Sequence, residues 1–239
     1  MVTLFSDLHV HSCLSPCGSD DMTPANICGM AALKGLQMIA VTDHNCAKNL
    51  PYVQKCADAY GLLLIPGMEI TTREEVHMMG YFPDVETALA FSGFLKGHMP
   101  RAKNRPDFFG HQYVMNEDDE VLEEEDSLLM GASDLPLTAL AALVREYRGV
   151  PVPAHINRGS NGVLVNLGFL PEEPGFTAVE VWKHLPCAHG PQAGRVVLHS
   201  SDAHYLGDIY EAEEQVTLKE RSVAAFLDYL REPPQKKEL

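Results

Sequence analysis

Three short apolar runs, each closed by polar residues and followed by a helical pattern, constrain the fold of this chain more than any other feature. The first is Thr3-Leu4-Phe5-Ser6-Asp7-Leu8-His9-Val10-His11. The second, Met38-Ile39-Ala40-Val41, runs into Thr42-Asp43-His44, and the third, Leu62-Leu63-Leu64-Ile65, runs into Pro66-Gly67-Met68-Glu69. The segments between them carry helix punctuation. Thr23 is placed as an N-cap with Pro24 at the first helical position, Ile27, Met30 and Ala31 form a buried stripe, and Gly35 is the stop. The next helix starts near Pro51, buries Val53, Cys56, Ala57 and Tyr60, and ends at Gly61. Apolar runs alternating with amphipathic helices predict a parallel sheet with crossover helices.

Beyond this point the rhythm is less even. The pattern predicts a strand over 76–82, a helix over 85–96 and another over 136–149 that buries Leu140, Ala141, Val144 and Tyr147. Further strands are expected over 150–156, 178–182 and 196–198, and a last helix carries Val223, Phe226, Leu227 and Leu230 at i, i+3, i+4 and i+7. Residues 97–133 read as an acidic insertion, part loop and part helix, with its acids on a solvated face. The whole predicts one barrel-like α/β domain over residues 1–232, with a frayed tail at 233–239. In such a fold chemistry sits at the C-terminal ends of the strands.

Those ends carry metal-ligating residue types. His9 and His11 stand at i, i+2 on a strand, so both imidazoles share a face and can reach one ion. Asp43 and His44 close the second run, Glu69 the third, and His77 lies on the strand after it. His155 follows Val150-Pro151-Val152-Pro153-Ala154, and Asp202-Ala203-His204 follows Val196-Val197-Leu198. A lone histidine is usually a hydrogen-bonded core residue, and a strand-end Asp often caps a helix. Six strand ends that converge on one mouth predict a metal site instead. The imidazoles and carboxylates are too many for one ion, so two or three divalent metals are expected. A nitrogen-and-oxygen shell suits zinc, manganese or iron(II) alike. Glu69 can offer one oxygen to each of two ions and is the natural bridge.

Charge narrows the partners. With 18 basic against 33 acidic residues the net charge is −15, which disfavours long nucleic acid. Residues 106–144 hold no Lys or Arg and ten acids, eight of them between Glu117 and Asp126. No apolar run approaches the roughly 20 residues of a membrane span. Residues 1–7 lack the basic start and apolar stretch of a signal peptide, and the six cysteines show no CxxC spacing, which predicts a cytoplasmic protein with reduced thiols.

Five motifs, in order, resemble those of the PHP (polymerase and histidinol phosphatase) superfamily of metal-dependent phosphoesterases: Asp7-Leu8-His9-Val10-His11-Ser12, Thr42-Asp43-His44-Asn45, Pro66-Gly67-Met68-Glu69-Ile70-Thr71, Pro153-Ala154-His155 and Ser201-Asp202-Ala203-His204. The resemblance implies a distorted seven-stranded βα barrel, a (β/α)7 fold, with a trinuclear centre at its mouth. His9, His11, Glu69 and Asp202 would hold one metal. Glu69 would bridge to a second, held also by His155 and His77, and His44 and His204 would hold a third. The family places one more ligand, often His or Asp, in the loop after the first strand. Here that loop contains no His; Cys17 stands at the spacing, with Asp20 the alternative and a small buried residue the bland reading of Cys17.

The implied activity is hydrolysis of a small phosphate ester, a phosphomonoester, nucleotide or short oligonucleotide end, by in-line attack of a metal-bridging hydroxide. Glu69, His44, His204 and Arg158 are the candidate catalytic residues. Arg158 would grip a non-bridging oxygen, or else form a surface salt bridge. Asp7 and Asp43 are candidates to orient a ligating histidine from behind, or to cap a strand. His98, His111, His184 and His189 are expected at the surface, His199 near the site or simply packed, and Trp182 in packing. Two other readings compete. An amidohydrolase-type C–N hydrolase also opens with HxH, and a non-catalytic metal-bound module would use the acidic insertion to recruit a partner.

Overall fold

The computed structural model describes residues 1–232; the tail 233–239, expected to fray, lies outside the described residues. The chain opens with strand β1 (Val2–Val10), helix α1 (Pro24–Leu33), β2 (Met38–Val41), α2 (Leu50–Tyr60) and β3 (Leu63–Leu64). Thr23 caps α1 through its side chain to the Asn26 amide, and Gly61 closes α2 in the left-handed conformation at φ +68°. Strands β1, β2 and β3 pair in parallel, as the alternating pattern predicts.

The sheet then changes character. β4 (Gly67–Thr71) and β5 (His77–Tyr81) form an antiparallel hairpin, and β8 (Val150–Pro153) pairs antiparallel with β5. A uniformly parallel sheet is therefore not what forms. Five residues separate β4 from β5, too few for a crossover, and Glu75 turns the chain at φ +59°. The reversal has a functional consequence. Thr71 faces His77 across the hairpin, so His77 enters the site from the start of its strand.

After α3 (Val85–Lys96) the insertion is mostly a hairpin rather than loop and helix. A single turn, α4 (Pro106–Phe109), precedes β6 (Tyr113–Met115) and β7 (Val121–Glu124). Asn116 nucleates the turn between them, its side-chain oxygen accepting from the Asp118 and Glu120 amides at 3.0 and 2.9 Å. Most of the acids are solvated as expected, but Glu125 is 3 % exposed and holds Lys48 at 2.6 Å and Lys96 at 3.1 Å. Gly110 lets the insertion reach the loop after β1: at φ +101°, a side chain there would collide with the Pro16 carbonyl.

The second half runs α5 (Leu137–Glu146), β8 (Val150–Pro153), α6 (Val163–Asn166), β9 (Ala178–Glu180), α7 (His189–Gln192), β10 (Val196–Leu198), β11 (Gln215–Leu218) and α8 (Val223–Arg231). β9 and β10 pair in parallel, and β11 lies antiparallel on the outer edge of β1, an edge strand absent from the sequence expectation. Parallel bridges join Val10 to Ala203 and His44 to Glu69, and the Ile156 amide donates to the Glu180 carbonyl at 2.9 Å.

Two cores lie on opposite faces of these strands. Leu8, Met38, Ala40, Met79, Tyr81, Val152 and Leu198 pack into one, closed by Phe226 and Leu230 of α8. Ile39, Val41, Met68, Met78 and Val179 face the other, under α1, α2, α3 and α5. Strands buried on both faces read as continuous apolar runs, which explains the sequence pattern. Leu8 and Val10 sit two residues apart yet join different cores. The register of β1 against β2 slips between Asp7 and Val10, and this irregularity switches the facing of the strand. His9 and His11 are thereby delivered to the site, both fully buried.

Candidate metal centre

His9 Nε2 and His11 Nε2 lie 3.1 Å apart. Around them stand Asp202 Oδ1, 3.3 and 3.2 Å away, and the two oxygens of Glu69 at 3.5 and 3.3 Å. The outer nitrogens decide which atoms carry protons. His9 Nδ1 faces the Glu180 carboxylate at 3.0 Å, which accepts only, so its hydrogen sits there. His11 Nδ1 donates to Ser15 Oγ at 2.9 Å, because that hydroxyl spends its own proton on Asp43 Oδ1 at 2.7 Å. In the neutral rings both inner nitrogens are lone pairs that point with two carboxylates at one place, a place that demands positive charge from a proton or an ion. Such an arrangement calls for a cation.

The rest of the cluster repeats this logic. Glu69 Oε1 meets His77 Nδ1 at 2.8 Å and His155 Nε2 at 3.1 Å, while Oε2 meets His44 Nδ1 at 3.1 Å. The last contact lies off the line a hydrogen bond requires. His44 Nδ1 and His155 Nδ1 are buried nitrogens without a hydrogen-bond partner, which proteins avoid unless something else satisfies them. His204 Nδ1 donates to the Asp202 carbonyl at 2.8 Å, freeing its Nε2. Three groups place their ligand atoms within 4.8 Å of one another: His9, His11, Glu69 and Asp202; His44, Glu69 and His77; and His11, His44 and His204. The residues present fit bound divalent ions.

Electrostatics agree with the geometry. Burial opposes charge on His9, yet Glu180, Glu69 and Asp202 hold it well above the ordinary imidazole range. His11, equally buried, is raised to about 9 by Asp202 and Glu69. Burial pushes His77 down to about 4 and His204 down to about 3, so both are neutral at pH 7, the state in which an imidazole can bind a metal. Glu69, despite burial, is held well below the usual carboxylate range by His77 and His9. His155 and Asp202 sit in the left-handed region at φ +27° and +54°. Local strain of this kind costs about 1–3 kcal/mol and gathers at functional sites.

Residues 7–122 match the PHP domain family. That match covers just under half of the chain. It is 31 % identical over 103 residues to the 3′,5′-nucleoside bisphosphate phosphatase of Chromobacterium violaceum, a match spanning 41 % of this chain and 35 % of that relative. The chain therefore aligns with about a third of the length of that relative. Among solved structures, the lesion-specific endonuclease Q of Pyrococcus furiosus has a TM-score of 0.72 at 17 % identity, over 96 % of this chain and 56 % of that one. A Bifidobacterium adolescentis protein provisionally assigned as a metal-dependent phosphoesterase has a TM-score of 0.62 at 19 % identity, over 93 % and 94 % of the two chains. At these identities the likeness is one of fold.

The fold brings His9, His11, His44, Glu69, His77, His155, Asp202 and His204 to one place, beside a cavity of about 250 Å³. Cys17 lines this cavity beside His44, but it does not join the three groups of ligand atoms. Asp20 is exposed and lies away from the cavity. Arg158 lines it too, its Nη1 contacting Asp202 Oδ2 and its guanidinium 5.1 Å from the Trp182 ring centroid. Trp182 thus packs on Arg158 without lining this cavity itself.

Asp7 touches no histidine ring nitrogen; it accepts from the Ser201 and Tyr210 amides, each at 3.0 Å, and so anchors the loop that carries Asp202 and His204. Asp43 acts on His11 only through Ser15. Ser15, Glu180 and Asn161 escaped the sequence reading. Glu180 is 2 % exposed, holds His9, and accepts from the His155 amide at 2.9 Å. Its signal was an acid inside the apolar run Ala178-Val179-Glu180-Val181. Asn161 contacts His77 Nε2 at 2.5 Å from a polar loop that carried no signal. His98, His111, His184 and His189 lie partly or fully at the surface, and His199 donates to the Val181 carbonyl at 2.8 Å.

Proposed function

We propose that this chain is a PHP-type, metal-dependent phosphoesterase acting on a small phosphate ester. The observation that carries the reading is Glu69, whose two oxygens face different imidazoles: His77 and His155 on one, His44 and His11 on the other. A carboxylate flanked in this way is built to bridge two ions. His9, His11, Glu69 and Asp202 would hold the first, Glu69, His77 and His155 the second, and His44 with His204 a third, Cys17 being the nearest further candidate. Two or three zinc, manganese or iron(II) ions suit this donor set. When bound, such ions neutralise charge on the phosphoryl oxygens and make water nucleophilic at neutral pH.

The chain's own groups do the remaining work. Once Asp202 is engaged as a ligand, Arg158 is free to take a non-bridging phosphoryl oxygen. His44 lines the cavity beside Cys17 and Glu69, so where only two ions are bound it is the histidine placed to carry a proton to the leaving group. His204, neutral above about 3, is suited to ligation. Glu180 and Ser15 hold His9 and His11 in the ligating tautomer. The distorted seven-stranded barrel belongs to this proposal as well: the bridges Val10–Ala203 and His44–Glu69 support a ring of β1, β2, β4, β5, β8, β9 and β10.

No helix among the described residues is long and apolar enough to cross a membrane. Preference for small substrates over long nucleic acid rests on the net charge of −15. The test is a substrate panel with manganese or zinc: p-nitrophenyl phosphate, its bis ester, an aryl amide and a duplex containing an abasic site. Turnover of a phosphate ester above the others, lost in Arg158→Ala, supports the reading. Turnover of the amide alone makes the chain a C–N hydrolase, metal binding without turnover makes it a binding module, and preferred cleavage of the duplex overturns the small-substrate assignment.

A further inference from the structure

A second cavity, of about 500 Å³, adjoins the metal cavity and shares Cys17, Arg158, Asp202 and His204 with it. An ester whose phosphoryl group lies against Arg158 and the metal ligands therefore has this chamber open to its alcohol portion. The walls are ring-rich: Trp182, His184, Tyr205 and Tyr210. One face of Trp182 is taken by Arg158, and His184 stands edge-on to it at 5.2 Å. Tyr205 is different. It is 59 % exposed, and among the described residues no other ring or cation stacks on it.

The charge on the walls is equally specific. Arg158 is the one Lys or Arg lining the chamber, and Asp208 lines it as well. Lys183 lies 3.7 Å over the Tyr210 ring but is committed to Glu213 and Glu214 at 3.4 and 3.6 Å. A second phosphate placed here would meet a carboxylate and no uncommitted cation. We propose that this chamber binds the uncharged, ring-bearing alcohol part of a phosphomonoester, with Tyr205 as the stacking platform, and that it disfavours a bisphosphate. The inference rests on the phosphoesterase reading above and names its substrate class.

Two measurements on the metal-loaded protein separate the inference from that reading. Calorimetry with adenosine, which carries no phosphate, should show binding where glycerol shows none, and Tyr205→Ala should weaken it about tenfold, the scale of one ring stacked on an aromatic side chain. In turnover, adenosine 5′-monophosphate should exceed glycerol 3-phosphate in kcat/KM, and Tyr205→Ala should lower that ratio about tenfold. Asp208→Asn should raise kcat/KM for adenosine 3′,5′-bisphosphate relative to the monophosphate. Phosphate release with equal preference for the glycerol ester, or adenosine binding untouched by Tyr205→Ala, overturns the chamber assignment and leaves the phosphoesterase standing. Adenosine binding that depends on Tyr205, with no phosphate released from any ester, overturns the phosphoesterase and leaves the ring-binding chamber.

Discussion

Replacing Glu180 by Gln should weaken metal binding without unfolding the protein. The side chain is almost fully buried, and it spans His9 Nδ1, at 3.0 and 3.2 Å from its two oxygens, and the His155 backbone amide at 2.9 Å. Gln keeps the shape but offers one acceptor oxygen where two hydrogens point. Oε2 alone accepts from His9 Nδ1 at 3.0 Å and the His155 amide at 2.9 Å, so the Gln oxygen can keep both bonds. An NH2 group then replaces the oxygen 3.2 Å from His9 Nδ1–H, and the negative charge that favours the ligating tautomer of His9 is gone. Loss of such a partner behind a ligating histidine typically costs 10- to 100-fold in metal affinity, which is about 1.4–2.7 kcal/mol. Competition titration of zinc against a chromophoric chelator reads this directly, with urea unfolding in chelator as the control. Glu180→Ala should also lose stability in the chelated protein, by about 1–3 kcal/mol for each buried donor left without a partner. A zinc affinity for Glu180→Gln within twofold of the wild type would refute the claim that Glu180 tunes His9.

Two further expectations follow from the insertion. Asn45 adopts φ +51°, accepts the Thr71 amide at 2.9 Å, and donates to the carbonyls on either side of Met130, those of Leu129 at 2.7 Å and Gly131 at 3.1 Å. It thereby sets Met130 at the rim of the metal cavity, and Asn45→Ala should cost about 3 kcal/mol in urea unfolding and speed proteolysis near residue 130. Glu125 is lowered to about 2, burial being outweighed by Lys48, the Ser127 amide and Lys96. A depressed carboxylate contributes stability above its unfolded value near 4.5 and loses it as pH falls toward 2. Glu125→Gln should therefore cost about 1 kcal/mol at pH 7, discounted for the partly exposed lysines, and the difference from the wild type should shrink below pH 4.5. Thermal melts at pH 7 and pH 3 check both signs.

Most residues of the candidate metal centre were legible because they stand where an apolar run ends, His77 at the start of its strand being an exception. Local punctuation placed the helices: Thr23 and Pro24 at the start of α1, Gly61 at the end of α2. What was not legible depended on distant partners. The run over 76–82 reads as a strand in either direction, and only the short 72–76 connection shows that it returns antiparallel. Composition alone makes Glu125 look like its solvated neighbours. Its burial follows from Lys48, 77 residues away, and Lys96. Asp7 precedes His9 and reads as its helper, but the register slip in β1 turns it toward the backbone of residues 201 and 210. β11 packs as an edge strand by pairing with β1 over 200 residues earlier, a contact without a local signature.

The claim on which the account turns is that Glu69 bridges metals and that turnover needs the bridge. One measurement joins both: metal content per chain by mass spectrometry and p-nitrophenyl phosphate hydrolysis, on the same samples of wild type and Glu69→Gln. The account predicts two or three ions per wild-type chain with phosphate release, and a Glu69→Gln protein that folds, loses at least one ion and is inactive. Full metal content and full activity in Glu69→Gln, or wild-type hydrolysis that persists after the ions are stripped, would contradict it.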